Sequence, residues 1–180
     1  MAGKMSKKTW IIVAILIIAV GAIVGIVMSC NSSDPSDFTL PIITWNETAL
    51  SAFEGTPVVL NFWSIDCSWC RYQLPFFEDV AQQTEGEINI IAMNMVDSAE
   101  NIQKFFGDYE PTMIIALDQN GEAFADYSLA YNNTRNAVPF MLFVDSEGII
   151  QYHKIGAFAS ETELWNTLQD VLGITIPETS

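Results

Sequence analysis

Basic side chains are scarce in this sequence. Seven Lys and Arg stand against 22 Asp and Glu, the net charge is −15, and His153 is the one histidine. All the acidic residues follow Cys30, where only Arg71, Lys104, Arg135 and Lys154 are basic. Such a surface repels phosphate backbones, which excludes nucleic acid as a partner and suits a domain kept soluble at an anionic membrane surface. No Ser-His-Asp or paired-carboxylate arrangement can be argued, no glycine-rich phosphate loop is present, and there are no internal repeats. Cysteine is also sparse, with three residues, Cys30, Cys67 and Cys70. A closed zinc site takes four ligands, and beyond the Cys67/Cys70 pair only Cys30 and His153 remain as candidates. Zinc is therefore disfavoured, and no metal or cofactor is expected.

Hydrophobic residues, by contrast, make up 50% of the chain, which is ample for a core and argues against disorder. The first apolar block, Trp10 to Met28, follows Lys4, Lys7 and Lys8. At 1.5 Å per residue it is long enough to cross a hydrocarbon core of about 30 Å. The lysines should hold residues 1–9 in the cytoplasm, making 10–28 a transmembrane signal-anchor with the domain on the extracytoplasmic side of the cell membrane. Val27-Met28-Ser29-Cys30 is also a loose bacterial lipobox, which makes Cys30 a candidate for lipidation; the alternative is an unreactive thiol. Either way the domain is tethered where disulfides persist, so a thiol pair there needs a redox task or a partner that keeps it reduced. A polar linker at 29–36 leads to a domain at 37–173 and a flexible tail at 174–180.

The domain is organised around Val58 to Cys70. Val58 to Trp63 is nearly all apolar, as in a strand covered on both faces. From Ser68 to about Gln83 the spacing turns helical, with Trp69, Tyr72, Phe76 and Val80 expected on one apolar side. Cys67 and Cys70 thus fall on the first helical turn, close enough for a disulfide without backbone movement. Unpaired N–H groups and the positive end of the helix dipole favour a thiolate at the first position. Cys67 should be the attacking sulfur with a lowered pKa, and Cys70 the resolving one. The bland alternatives are half a metal site or two inert core thiols.

In the rest of the chain, Asp37 to Pro41 predicts a brief edge strand, Asn46 to Thr48 a turn, and Ala49 to Phe53 a short helical or irregular piece. The helix after Cys70 should kink at Pro75 and end at Gly86. Strands are expected at Ile88–Met95 and Met113–Leu117. Ser98 should cap a short helix stopped by Gly107, and another should run from the turn at 118–121 to about Tyr127. Phe140–Val144 and Ile149–Ile155 predict a hairpin, and Ser160-x-x-Glu163 a capping box opening the last helix, with Gly173 at its end. Together these describe an α/β sandwich with a mixed sheet.

Leu60-Asn61-Phe62-Trp63, Cys67-Ser68-Trp69-Cys70, Leu74-Pro75 and the block Val138-Pro139-Phe140 to Gly148, in this order, resemble a thioredoxin-fold protein. More closely, the chain is similar to membrane-tethered thiol–disulfide oxidoreductases of the TlpA/ResA type, from about Asp37 to Gly173. The resemblance implies a thioredoxin-like mixed sheet flanked by helices, with an insertion at about Met113–Asn136. It also implies a redox-active Cys67–Cys70 disulfide and a cis Pro139 packed against it, with the Val138 backbone pairing to the substrate chain. Several such proteins reduce apocytochrome c before haem attachment. The implied partners are thiols or disulfides of exported clients and a membrane electron donor, the protein itself being a monomer. Departures are the absence of Pro between the cysteines, Gln73 where ResA-type relatives place glutamate, and Asn61 where thioredoxin has a buried aspartate. Asp66 stands where an aromatic residue usually precedes the first cysteine, and would raise the pKa of Cys67 unless it is simply a solvated loop acid. Tyr131–Asn136 is longer than expected and could border the substrate groove.

Trp69 is a candidate shield for the disulfide and stacking surface for a client, or an ordinary exposed Trp. Arg71 either supports the thiolate or is merely solvated. His153, in an alternating strand, reads as a sheet-surface residue. Two other functions are open. Ser64-x-x-Cys67 faintly echoes a thiol peroxidase, though Leu60 replaces that family's proline. A copper- or haem-delivery chaperone would use both thiols and His153.

Overall fold

The computed structural model describes residues 39–40 and 48–175. The expected anchor at 10–28, Cys30 and the linker at 29–36 lie outside the described residues. Among the described residues no helix is long and apolar enough to cross a membrane.

Two short strands come first. β1 (Thr39–Leu40) pairs antiparallel with β2 (Thr48–Ala49), so Thr48 and Ala49 are strand where a turn and an irregular piece were expected. A single 3-10 turn follows at Leu50–Phe53. The main sheet has five strands: β3 (Val58–Trp63), β4 (Asn89–Asn94), β5 (Ile114–Leu117), β6 (Phe140–Val144) and β7 (Ile150–Ile155). Their order across the sheet is β5-β4-β3-β6-β7. β3, β4 and β5 run parallel, while β6 and β7 are antiparallel to their neighbours.

β3 is buried over its whole length. A central strand sends successive side chains to opposite faces, and both faces here are covered. Val59 and Trp63 join one core with α1 (Ser68–Gln83), α2 (Ala99–Phe106) and α4 (Glu161–Leu172). Val58, Leu60 and Phe62 join another with α3 (Glu122–Ala130). The segment expected as an insertion, Met113–Asn136, contributes β5 and α3.

α1 turns a different side to the core from the one its aromatics suggest. Cys70, Gln73, Leu74, Phe77, Val80 and Ala81 are buried, whereas Trp69 and Tyr72 are exposed. Cys70, Leu74, Phe77 and Ala81 form the stripe with helical spacing that meets the sheet, and Val80 is the one member of the expected side that lies fully inside. Pro75 sits within the helix without ending it, and the helix stops at Gln83 rather than Gly86. The Thr84 hydroxyl and N–H both donate to Val80 O, at 2.8 and 3.0 Å, after which Glu85 and Gly86 turn the chain with positive φ.

Two caps behave as the sequence predicts. The Ser98 hydroxyl accepts from Asn101 N–H at the start of α2, and that of Ser160 from Glu163 N–H at the start of α4. Glu163 in turn accepts from Ala159 N–H at 2.7 Å, one residue earlier than a capping box requires. Gly173 closes α4 in the left-handed region, and Ile174, expected to begin the frayed tail, folds back buried as its N–H reaches Leu168 O.

One buried carboxylate ties α1 to the loop before β5. Glu78 accepts from Tyr109 OH and Thr112 N–H at 2.8 Å, from Gln82 at 2.9 Å and from Met113 N–H at 3.1 Å. Burial by itself pushes this carboxyl up, but the two backbone N–H groups, with Tyr109 and Gln82, outweigh it and hold the group below the usual glutamate range. A depressed native pKa gives stability that is complete above the unfolded value and lost as pH falls through the native one. Thermal unfolding should therefore show a loss of Tm below about pH 4 that is flattened in Glu78→Gln. Glu78→Ala should cost about 3 kcal/mol in urea denaturation at neutral pH, because it leaves the buried Met113 N–H and the part-buried Thr112 N–H without their acceptor.

Candidate active site

The site lies where β3 leaves the sheet. Trp63 is the last strand residue, Ser64 to Asp66 make the loop, and Cys67 is the N-cap of α1 in extended conformation. Cys67 and Cys70 form a disulfide with Cα atoms 5.2 Å apart. Cys67 Sγ accepts from Cys70 N–H at 3.0 Å, so the sulfur fills the place an N-cap oxygen usually takes. Cys67 is half-buried, while Cys70 is wholly inside. One sulfur is thus open to a partner and the other is not.

Polar side chains pin the loops that meet at Cys67. Asp97 accepts from Ile65 N–H and from Asn94 Nδ2, each at 2.8 Å, and Asn94 Oδ1 closes a turn on the N–H groups of Val96 and Asp97. At the next peptide, Arg71 Nη1 donates to Ile65 O at 2.7 Å. Arg71 therefore holds the loop rather than the sulfur. From the far side comes Val138–Pro139, whose peptide bond is cis; Pro139 is buried, and Val138 O lies 3.7 Å from Cys67 Sγ. Asn133 fixes this second loop, donating to Ala137 O and accepting from Ala137 N–H, both at 2.9 Å. The expected long segment Tyr131–Asn136 is thus built around one buried Asn, with Asn132 and Asn136 in the left-handed region.

Behind the pair lies a neutral polar layer. Gln73 and Asn61 are both fully buried, and Gln73 Nε2 donates to Asn61 Oδ1 at 3.2 Å. Gln73 Oε1 accepts from Phe158 N–H at 3.0 Å, which ties α1 to the segment before α4. Asn61 Nδ2 and Trp63 Nε1 are buried without a protein partner among the described residues.

Asp66 is exposed in the loop, and Trp69 is exposed on α1. His153 lies apart from the pair. It stands opposite Leu142, whose side chain belongs to the α3 face of the sheet, and its ring is 5.0 Å from that of Tyr131. The sheet separates it from α1, which removes the arrangement in which His153 joins both thiols on one metal. Among the described residues no group of three or more His, Cys, Asp and Glu side chains is placed to hold a metal ion. Asp97 and Asn133 escape a reading of the sequence; the only local signal is the Asn94-x-x-Asp97 turn spacing.

A strand, an N-capping cysteine, its buried partner and a facing cis-proline define a thioredoxin-like redox domain. Residues 33–153 match the AhpC/TSA family, and the chain belongs to that family. It is 26% identical over 128 residues to the thioredoxin-like protein YneN of Bacillus subtilis, covering 69% of this chain and 71% of that one. With the thiol-disulfide oxidoreductase ResA of Oceanobacillus iheyensis it shares 27% over 152 residues, 77% of this chain and 76% of the other. The thiol:disulfide interchange protein CycY of Rhizobium leguminosarum is 29% identical over 119 residues, 66% of this chain and 57% of CycY. Among solved structures, a secreted Mycobacterium tuberculosis disulfide oxidoreductase homologous to E. coli DsbE superposes with a TM-score of 0.64 at 19% identity, covering 77% of this chain and 99% of that one. StoA of Bacillus subtilis gives 0.58 at 21%, covering 72% and 94%. These structures share the fold.

Asp97→Ala removes the acceptor for the Ile65 amide. Hydrogen exchange at Ile65 should speed up by about tenfold or more, with a stability loss of about 2 kcal/mol for a bond to a charged group.

Proposed function

We propose that this chain is an extracytoplasmic thiol–disulfide oxidoreductase that reduces disulfides in exported proteins. The observation that carries the reading is the Cys70 N–H aimed at Cys67 Sγ, with Cys67 accessible and Cys70 buried. When the pair is reduced, the same N–H and the helix dipole favour a thiolate at Cys67. That thiolate attacks one sulfur of a client disulfide, the client S–S bond breaks, and the departing sulfur takes a proton. Cys70, deprotonated, then attacks Cys67 Sγ and expels the client's second thiol. Two electrons have passed to the client, and the Cys67–Cys70 disulfide remains for a donor to reset.

The names of ResA and CycY and the membership of the family support this chemistry. The direction, toward reduction, rests on the resemblance to TlpA/ResA-type proteins, and apocytochrome c is the client class that the resemblance suggests. We place the domain outside the cell membrane, held by the 10–28 segment or by a lipid on Cys30, acting as a monomer with a membrane electron donor. The apolar run, the three lysines before it and the acidic domain after it support this placement.

In insulin reduction, Cys67→Ser should abolish activity. Cys70→Ser should stop turnover while accumulating mixed disulfides through Cys67, visible on non-reducing gels. A Cys67→Ser/Cys70→Ser double variant as active as the wild type would rule the mechanism out. A reduction potential above about −150 mV would reverse the proposed direction.

A further inference from the structure

The side of α1 that faces away from the sheet carries a row of aromatic rings beginning between the two cysteines. Trp69 is 64% exposed and Tyr72 47%, while Phe76 is partly buried. Trp69 meets Tyr72 edge-to-face at 5.8 Å, and Tyr72 meets Phe76 at 5.2 Å. Tyr72 OH donates to Ala159 O at 3.0 Å, which holds the central ring in place. These rings are a fixed surface, since each is braced by the next.

The row ends at carboxylates. Asp79 follows Phe76 by three positions on the same side of α1, and Glu161 lies in the first turn of α4, where its Oε1 accepts from Trp165 Nε1. Neither is in an ion pair among the described residues, whose salt bridges are Lys104–Glu100 and Lys154–Glu163. Burial, then the charges of Glu161 and Glu78, push the Asp79 carboxyl up, so these acids crowd one another. A cation placed there would relieve that repulsion while its stem or guanidinium lay across the rings.

We propose that the row Trp69–Tyr72–Phe76, closed by Asp79 and Glu161, is the docking strip for the client chain beside its reacting cysteine, and that it selects clients carrying Lys or Arg. This rests on the exchange chemistry proposed above and names the partner of that site. From Cys67 to Asp79 the helix rises about 18 Å, a distance an extended chain covers in about five or six residues. The selected basic residues therefore sit about five or six positions from the client cysteine.

The test uses the full chain, reduced, with short disulfide-linked peptides alike except for Lys or Glu at the fifth and sixth positions from the cysteine. 2-Hydroxyethyl disulfide serves as a small neutral substrate. At about 20 mM salt the Lys peptide should react about tenfold faster than the Glu peptide, the ratio narrowing above about 0.5 M. Asp79→Asn with Glu161→Gln should bring the low-salt ratio to about threefold or less. Glu122→Gln with Asp126→Asn, on α3 across the sheet, removes as much charge and should leave the ratio unchanged. A wild-type ratio under about twofold, or an equal drop from the α3 changes, would overturn the docking strip. If 2-hydroxyethyl disulfide is still reduced in that case, the exchange reading survives without the strip; if it is not reduced at all, both fall.

Discussion

Helix α1 is capped by a sulfur where most helices are capped by an oxygen, and the site depends on that substitution. A hydroxyl or carboxylate at Cys67 would satisfy the Cys70 N–H equally well and could perform no exchange. Here the donor that closes the helix is also the donor that meets the sulfur's electrons. Cys70, the third helical residue, supplies both the N–H and the second sulfur. Cap, nucleophile and resolving group are thus compressed into four residues, and whatever fixes the first turn of α1 fixes the chemistry.

What fixes it comes from far along the chain. Cys67 and Val138 are 71 positions apart, yet Val138 O lies 3.7 Å from the Cys67 sulfur. Each approaches on a loop, and each loop is held by one short polar side chain, Asp97 on the Ile65 side and Asn133 on the Ala137 side. Beneath them the Asn61–Gln73 amides link β3 to α1 and, through Phe158 N–H, to the approach to α4. These amides carry no charge, so the buried layer sets position without adding a second titrating group to the pair. Asp66, the acid next to Cys67, is exposed to solvent instead.

Much of this frame is legible in the sequence, because continuous apolar runs mark central strands and capping residues mark helix starts. Val58–Trp63, Ser98 and Ser160 all behave as their residue types dictate. The buried side of α1 is different. Trp69, Tyr72 and Phe76 make one apolar stripe, and Cys70, Leu74, Phe77 and Ala81 make another. Periodicity sees two stripes but not which one meets the sheet. The clamps are hidden for a related reason: Asp97 and Ile65 are 32 residues apart, and nothing local to either announces the other. Glu78 likewise reads as one more surface acid until the loop at Tyr109–Met113 folds over it.

Ser68 and Trp69 both stand outside the core, one on each step between the cysteines. Neither side chain belongs to either packed cluster. Replacing this dipeptide therefore disturbs no buried contact, only the local field around the sulfurs and the first ring of the aromatic row. A lineage can retune the electron affinity of its disulfide at these two positions while the scaffold beneath stays as it is.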